Sequence, residues 1–342
     1  MNFPITEHVA KTARHTSFYL SCGATDAPLI IFVHGWPELS VSWRHQLPVF
    51  AALGFRAIAP DMRGYGRSSA YSTHADYSLS EITADMKELL VSLGRDKAIW
   101  VGHDWGAPVV WTMASHYPEL CHGVANLCVP YFAAGFTPKN FIPLIDRNVY
   151  PEAKYPWGQW EYQAFYEENF DKARAAMEVD VAATVKALFR KGSPDGAGKP
   201  SRTATTRIDG AWFGGLGRAP ELPLDRDVLS ETDLHQYTAA LQRNGFFGPD
   251  SWYMNHAANA VFAAEACNNG KLTMPVLFFH GAYDYTCETM TSRLAEPMRA
   301  DCSDLTEIIV PSGHWMAQEQ PVRVNAGLAK WIATKLSPVW SS

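Results

Sequence analysis

Long apolar runs are missing from this chain: none of its 342 residues belongs to a stretch long and apolar enough to span a bilayer. A basic excess is missing too. Lys and Arg number 29 against 35 Asp and Glu, a formal charge of −6, which leaves no cationic footprint for nucleic acid. Metal-ligand rhythm is likewise absent. The six cysteines (Cys22, Cys121, Cys128, Cys267, Cys287 and Cys302) show no CxxC spacing. They are expected to be reduced, mostly buried thiols, and no metal or cofactor is expected. Met1 to His8 lacks the basic-then-apolar layout of a signal peptide, so a cytoplasmic location is expected. No internal repeat and no run of like charge stands out.

What the chain has is a large core. A hydrophobic share of 47% with 19% charged residues describes a globular protein, and 342 residues suffice for one large α/β unit carrying an insertion. Twelve Trp is a high count, and aromatic surplus often lines an apolar pocket.

The most informative segment is Gly102-His103-Asp104-Trp105-Gly106. It follows the apolar run Ala98 to Val101 and precedes a helix start at Ala107 to Trp111. A polar residue flanked by glycines between strand and helix is the pattern of a nucleophile elbow, where Ser is usual. Here the position is Asp104. A carboxylate attacks saturated carbon well and suits ester exchange poorly, because its acyl adduct would be an anhydride. Alone the pentapeptide is a weak signal, equally at home in a solvated turn or a helix N-cap. Its surroundings strengthen it.

Pro28 to Val33 and Phe55 to Ala59 read as buried strands of a parallel sheet. Ser78 with Glu81 reads as a capping box opening a helix, with Leu79, Ile82, Met86, Leu89, Leu90 and Leu93 as its buried stripe and Gly94 as its stop. Gly123 to Val129 is a further strand. After Pro130 buried-strand runs cease until Pro275 to Gly281 and Leu305 to Val310, and an amphipathic helix follows over 321–336. The organisation predicted is an α/β core of residues 1–130 and 270–342, interrupted by a mainly helical cap, or lid, of residues 131–269. Within the cap, Lys191 to Gly217 is rich in Gly, Pro, Ser and Thr and reads as a long mobile loop.

An Asp nucleophile needs partners at other strand ends, in the order acid then histidine. Asp284 follows the Pro275 strand, and His314 follows the Leu305 strand inside Pro311-Ser312-Gly313-His314-Trp315. His34-Gly35-Trp36-Pro37-Glu38 leaves another strand. Its Trp36 N–H, with that of Trp105, is expected to form an oxyanion hole, Pro37 to sit in a cis peptide, and His34 to brace the loop. The charges of Asp61 to Ser68 are expected to brace the core.

With these residues in place, the chain resembles an epoxide hydrolase of the α/β-hydrolase fold family, similar to the hydrolase domain of the soluble type. The resemblance runs from the first strand to the last helix and is most specific in the cap. Trp160-Glu161-Tyr162-Gln163 resembles the segment carrying that family's first lid tyrosine. Asn244 to Pro249, then Ser251-Trp252-Tyr253-Met254-Asn255, resembles the segment carrying its second. The family commonly has Arg after this tyrosine, and Met254 replaces it here. The resemblance implies attack by Asp104 on a small-molecule epoxide, proton donation by Tyr162 and Tyr253, and hydrolysis of the resulting ester by His314 with Asp284. It implies no cofactor, and a monomer or dimer with neither nucleic acid nor membrane span. A phenol, with its ordinary pKa near 10, stays protonated at neutral pH and suits an opening epoxide oxygen. The nearest alternative is a haloalkane dehalogenase, with Trp105 and Trp36 donating indole N–H groups to halide. A non-catalytic ligand-binding protein on the same fold is the alternative from another class, and the intact Asp104, Asp284 and His314 set speaks against it.

Overall fold

The computed structural model describes residues 3–340. Eight strands form one sheet: β1 (Thr6–Lys11), β2 (Thr16–Cys22), β3 (Leu29–Val33), β4 (Arg56–Pro60), β5 (Ala98–His103), β6 (Cys121–Leu127), β7 (Leu272–Gly281) and β8 (Cys302–Val310). Their spatial order is β1-β2-β4-β3-β5-β6-β7-β8. β2 pairs antiparallel with β1 and with β4, and every later pairing is parallel. Parallel neighbours need crossover connections, and the helices Leu47–Ala52, Gly106–His116 and Pro321–Lys335 are among the elements packed beside these strands.

Every residue of β3, β4 and β5 is buried, as their unbroken apolar runs predict for strands covered on both faces. From β3 the chain moves outward to β4, then returns to place β5 on the other side of β3. This reversal opens a crevice outside the carboxyl ends of β3 and β5, where ligands of open α/β sheets sit. The loops leaving those two ends are His34 to Glu38 and the Asp104 turn.

Between β6 and β7 there are helices, among them Glu161–Glu178, Val181–Leu188, Glu231–Asn244, Phe247–Ser251 and His256–Ala263, and no strand among the described residues. The first of these bends at Asn169, whose φ of −143° departs from helical geometry.

Three expectations are corrected. The Ser78 capping box does not form: the Ser78 hydroxyl meets that of Ser80, and Glu81 instead pairs with Arg14. The helix still starts at Leu79, because its N–H is satisfied by the side-chain oxygen of Asn259, 180 residues away. The segment from Lys191 to Gly217 is tied down where a free loop was expected. Ser201 N–H donates to the Tyr150 hydroxyl at 3.1 Å, Tyr285 donates to the Ser193 carbonyl at 3.0 Å, and Trp212 is buried. Finally, β1 and β2 were not among the predicted strands. β1 lies at the sheet edge and is mostly exposed, so it carries no apolar run.

Candidate active site

Asp104 sits directly after β5 with a φ of +50°, and the helix Gly106–His116 begins two residues later. A non-glycine residue rarely adopts this left-handed backbone, and the turn needs room around it. Glycine supplies that room: a Cβ on Gly106 would come 2.2 Å from the Val33 carbonyl oxygen. One on Gly35 would come 2.5 Å from both Asp104 Oδ1 and Trp105 N. The tight strand–turn–helix therefore lifts the Asp104 carboxylate to the crevice.

Four strand ends converge on that carboxylate. After β3, Trp36 N–H donates to Asp104 Oδ1 at 2.6 Å. Of the two N–H groups expected to face the nucleophile, Trp36 makes this bond, and Trp105 N lies against the same glycine. After β8, His314 Nε2 lies 3.3 Å from Asp104 Oδ2. After β7, Asp284 Oδ2 accepts from His314 Nδ1 at 2.8 Å, while its Oδ1 accepts from the N–H groups of Thr286 and Cys287. Burial alone would raise the Asp284 carboxyl, but the His314 charge and these donors hold it at about 2. For His314 burial disfavours the charged ring, yet Asp284 foremost, with Asp104, raises it well above the ordinary imidazole value. Asp104, Asp284 and His314, separated widely in the chain, are thus brought into one hydrogen-bonded line.

Around this line lie braces. His34 accepts from Met62 N–H at Nε2, so its other nitrogen donates to the Gly35 carbonyl, which is the bracing role expected. The Trp36–Pro37 peptide is cis, also as expected. Asp61 accepts from the N–H groups of Ser40 and Arg67, and Arg63 forks onto Asp85 at 2.7 and 2.8 Å, so these charges brace the core. Less visible in the sequence is His103, the elbow residue before Asp104. One ring nitrogen meets Glu38 Oε2 at 2.7 Å and the other the His314 carbonyl at 2.8 Å. Against its own burial, Glu38 is held at about 2, chiefly by His103. The loops that follow β3 and β8 are thereby linked through the elbow.

Tyr162 and Tyr253 both reach this centre from the segment between β6 and β7. Their rings meet edge to face at 5.5 Å, and Tyr253 meets Trp105 at 5.4 Å. Burial above all raises both phenols well above 10, with the Asp104 charge adding to it. A small cavity is lined by Asp104, Trp105, Phe136, Trp160, Tyr162 and Cys287, among others. Met254, the departure from the family pattern, packs against the core.

Sequence reasoning missed several neighbours. Trp212 stacks on Trp36 at 5.9 Å and meets Tyr162 at 5.6 Å. Its only signal was an aromatic pair, Trp212-Phe213, inside a glycine-rich segment. Gln163 and Cys287 line the cavity, and His256 lies behind Gln163. Cys128 and Cys287 each lie close enough to His314 to complete a three-group set with His103 or with Asp284, the ligand atoms falling within 4.8 Å. Burial raises both thiols, Cys287 to about 12, so neither presents a thiolate at neutral pH.

Asp250 is the other missed group. Its Oδ1 accepts from Trp36 Nε1 at 2.8 Å and from the Tyr166 hydroxyl at 3.1 Å, while its buried Oδ2 has no partner. Burial outweighs the two donors and pushes this carboxyl from 3.8 to about 8. An acid with a raised native pKa binds its proton more tightly folded than unfolded. Between roughly pH 4 and 8 the unfolded chain therefore binds fewer protons, and stability falls as pH rises. Asp250→Asn keeps the shape and the Oδ1 acceptor without the charge. Its stability advantage over the parent should be near zero at pH 4, grow with pH, and level off above about pH 8 at a few kcal/mol. Urea unfolding of both proteins at pH 5, 7 and 9 checks this, and a pH-independent difference contradicts it.

The fold and site have counterparts among known proteins. The model of the alpha/beta hydrolase fold family matches residues 28–321. Epoxide hydrolase A of Mycobacterium tuberculosis is 30% identical over 328 residues, which is 96% of this chain and 97% of that one. Epoxide hydrolase B of the same organism is 34% identical over 330 residues, covering 89% and 91%. Among solved structures, epoxide hydrolase A from Mycobacterium thermoresistibile superposes with a TM-score of 0.78 at 31% identity, covering 96% of this chain and 98% of that one. The chain belongs to the alpha/beta hydrolase fold family. Within that family its place is among the epoxide hydrolases.

Proposed function

We propose that this chain adds water to an epoxide, giving a vicinal diol through a covalent alkyl ester on Asp104. The observation that carries the proposal is a carboxylate at the elbow, held between the Trp36 N–H and His314 Nε2, with two protonated tyrosines close by. Asp104 attacks one epoxide carbon and the ring C–O bond breaks. Tyr162 or Tyr253 gives its proton to the released oxygen while the other hydrogen-bonds it. The segment 131–269 serves as the cap that brings these phenols opposite the nucleophile.

Formation of the ester removes the Asp104 charge. That charge is one of those raising His314, so the imidazolium releases its proton to solvent once the ester has formed, acts as the base, and takes the proton back when Asp104 is freed. His314 takes a proton from water, and hydroxide adds to the ester carbonyl carbon. The oxygen already facing Trp36 N–H becomes the oxyanion, with Trp105 N–H as its second donor. Collapse breaks the bond to the alkyl oxygen, which leaves with the proton from His314. The regenerated Asp104 acid returns the remaining proton to the tyrosinate. Asp284 holds the imidazole tautomer and balances its charge. The chemistry calls on no metal or cofactor.

The haloalkane reading loses one of its donors, because the Trp36 indole N–H is spent on Asp250 at 2.8 Å. Isotope labelling tests the ester directly. Over repeated turnovers in oxygen-18 water, label should enter the side chain of Asp104, since hydroxide attacks its carbonyl carbon. Peptide mass spectrometry reads the result. Active turnover with no label in that peptide means that water attacks the epoxide directly.

A further inference from the structure

Four side chains form a line running from the protein surface to Tyr162. Glu167, partly exposed on the helix Glu161–Glu178, accepts from His256 Nδ1 at 2.7 Å. His256 Nε2 faces Gln163 Oε1 at 3.1 Å. Gln163 Nε2 donates to the Tyr162 hydroxyl oxygen at 3.1 Å. The bonds joining His256 to Gln163 and Gln163 to Tyr162 are buried, and a wrong pairing there costs more than it would at the surface.

The chemistry of each contact fixes the direction of the line. A carboxylate offers only acceptors, so His256 Nδ1 carries hydrogen. The oxygen of an amide is also only an acceptor, so Nε2 carries hydrogen as well. In this arrangement His256 donates from both ring nitrogens, to Glu167 and to Gln163. A ring with two donors obliges Gln163 to show it the amide oxygen, and therefore to show Tyr162 the NH2 group. The phenolic oxygen of Tyr162 is thus the acceptor, and its own hydrogen stays unspent. Were the amide reversed, its oxygen would take the Tyr162 proton. The two amide orientations have nearly the same shape, so packing does not choose between them.

We propose that Glu167 and His256 are positioning residues that, through the orientation of the Gln163 amide, keep the Tyr162 proton available to the substrate oxygen. This rests on the epoxide reading of the site. Neither residue touches the cavity beside Asp104. The His256 ring also packs against Trp105 at 6.5 Å, a contact that Glu167→Gln leaves in place, so the Glu167 effect should pass through one phenol, which a general loosening of the cap would not do.

A double-mutant cycle tests this. Single-turnover alkylation by styrene oxide is followed by tryptophan fluorescence, and ester hydrolysis is measured separately. His256→Leu removes the donor facing Gln163 and should slow alkylation about tenfold while leaving ester hydrolysis unchanged. Glu167→Gln, at the surface and safe for folding, should slow it in the same direction by a smaller factor. Both effects should vanish in a Tyr162→Phe background and persist in full in a Tyr253→Phe background. Equal slowing in both backgrounds would mean structural damage and overturn the proposal. Normal alkylation by both single variants would do so as well. A parent protein that yields no diol from any epoxide sinks the epoxide reading itself, a result distinct from an additive cycle in an active parent.

Discussion

A His314→Gln variant given excess epoxide should form one equivalent of ester on Asp104 and then stop. Alkylation needs the carboxylate and the tyrosines, which this change leaves in place. Hydrolysis needs a base beside the ester carbonyl, and a glutamine amide has no basic nitrogen. The adduct should appear as a mass increase equal to that of the epoxide, confined to the peptide containing Asp104. Steady-state turnover should fall by about three to four powers of ten, the range general bases and triad members usually contribute. The nearest other histidine, His103, is no substitute, because both its ring nitrogens are committed to Glu38 and to the His314 carbonyl. Normal turnover without adduct would place the base elsewhere.

The lid phenols should show the second large effect. Tyr162→Phe and Tyr253→Phe should each slow alkylation about a hundredfold, the usual consequence of removing one donor from a developing oxyanion. Each should leave ester hydrolysis largely intact. In the double variant neither phenol can stand in for the other, so the loss should far exceed either single one and approach ten thousandfold. Pre-steady-state kinetics separates the two steps. If both single variants alkylate at the parent rate, the tyrosines only pack, and dehalogenation of haloalkanes becomes the better account of Asp104.

The parts of the molecule that could be read in the sequence are those whose signal is local. β3, β4 and β5 are covered on both faces, so burial alone writes them as apolar runs. The elbow is visible because two glycines and a positive φ at Asp104 are demands of a single turn. Asp284 and His314 could be found because each follows a strand in the expected order. Partners set by distant pairing could not be found this way. Leu79 is capped by Asn259, and Trp36 bonds to Asp250 across 214 residues. Glu81 has the spacing of a capping partner but is drawn to Arg14, since an ion pair with a neighbouring element competes with a local bond. His256 carries no signal of its own in the sequence, and nothing in its neighbours points to Gln163, 93 residues earlier.

Trp212 divides the labour of the pocket in a way that bears on adaptation. Its ring rests on Trp36, Tyr162 and Tyr166, yet it hangs from a segment containing none of the groups assigned to bond making or breaking. Glycines with positive φ at 210, 214, 215 and 217 surround its attachment, a backbone that any side chain would strain, so the freedom to vary lies in the residues between them. Inheritance can therefore alter the packing behind Trp36 and Tyr162 while leaving Asp104, His314 and Asp284 in place. In a lineage adjusting to new substrates, the non-glycine residues of 207–217 can vary without touching the reactive groups. A mutant library confined to those seven positions would sample shape with the reactive groups unchanged.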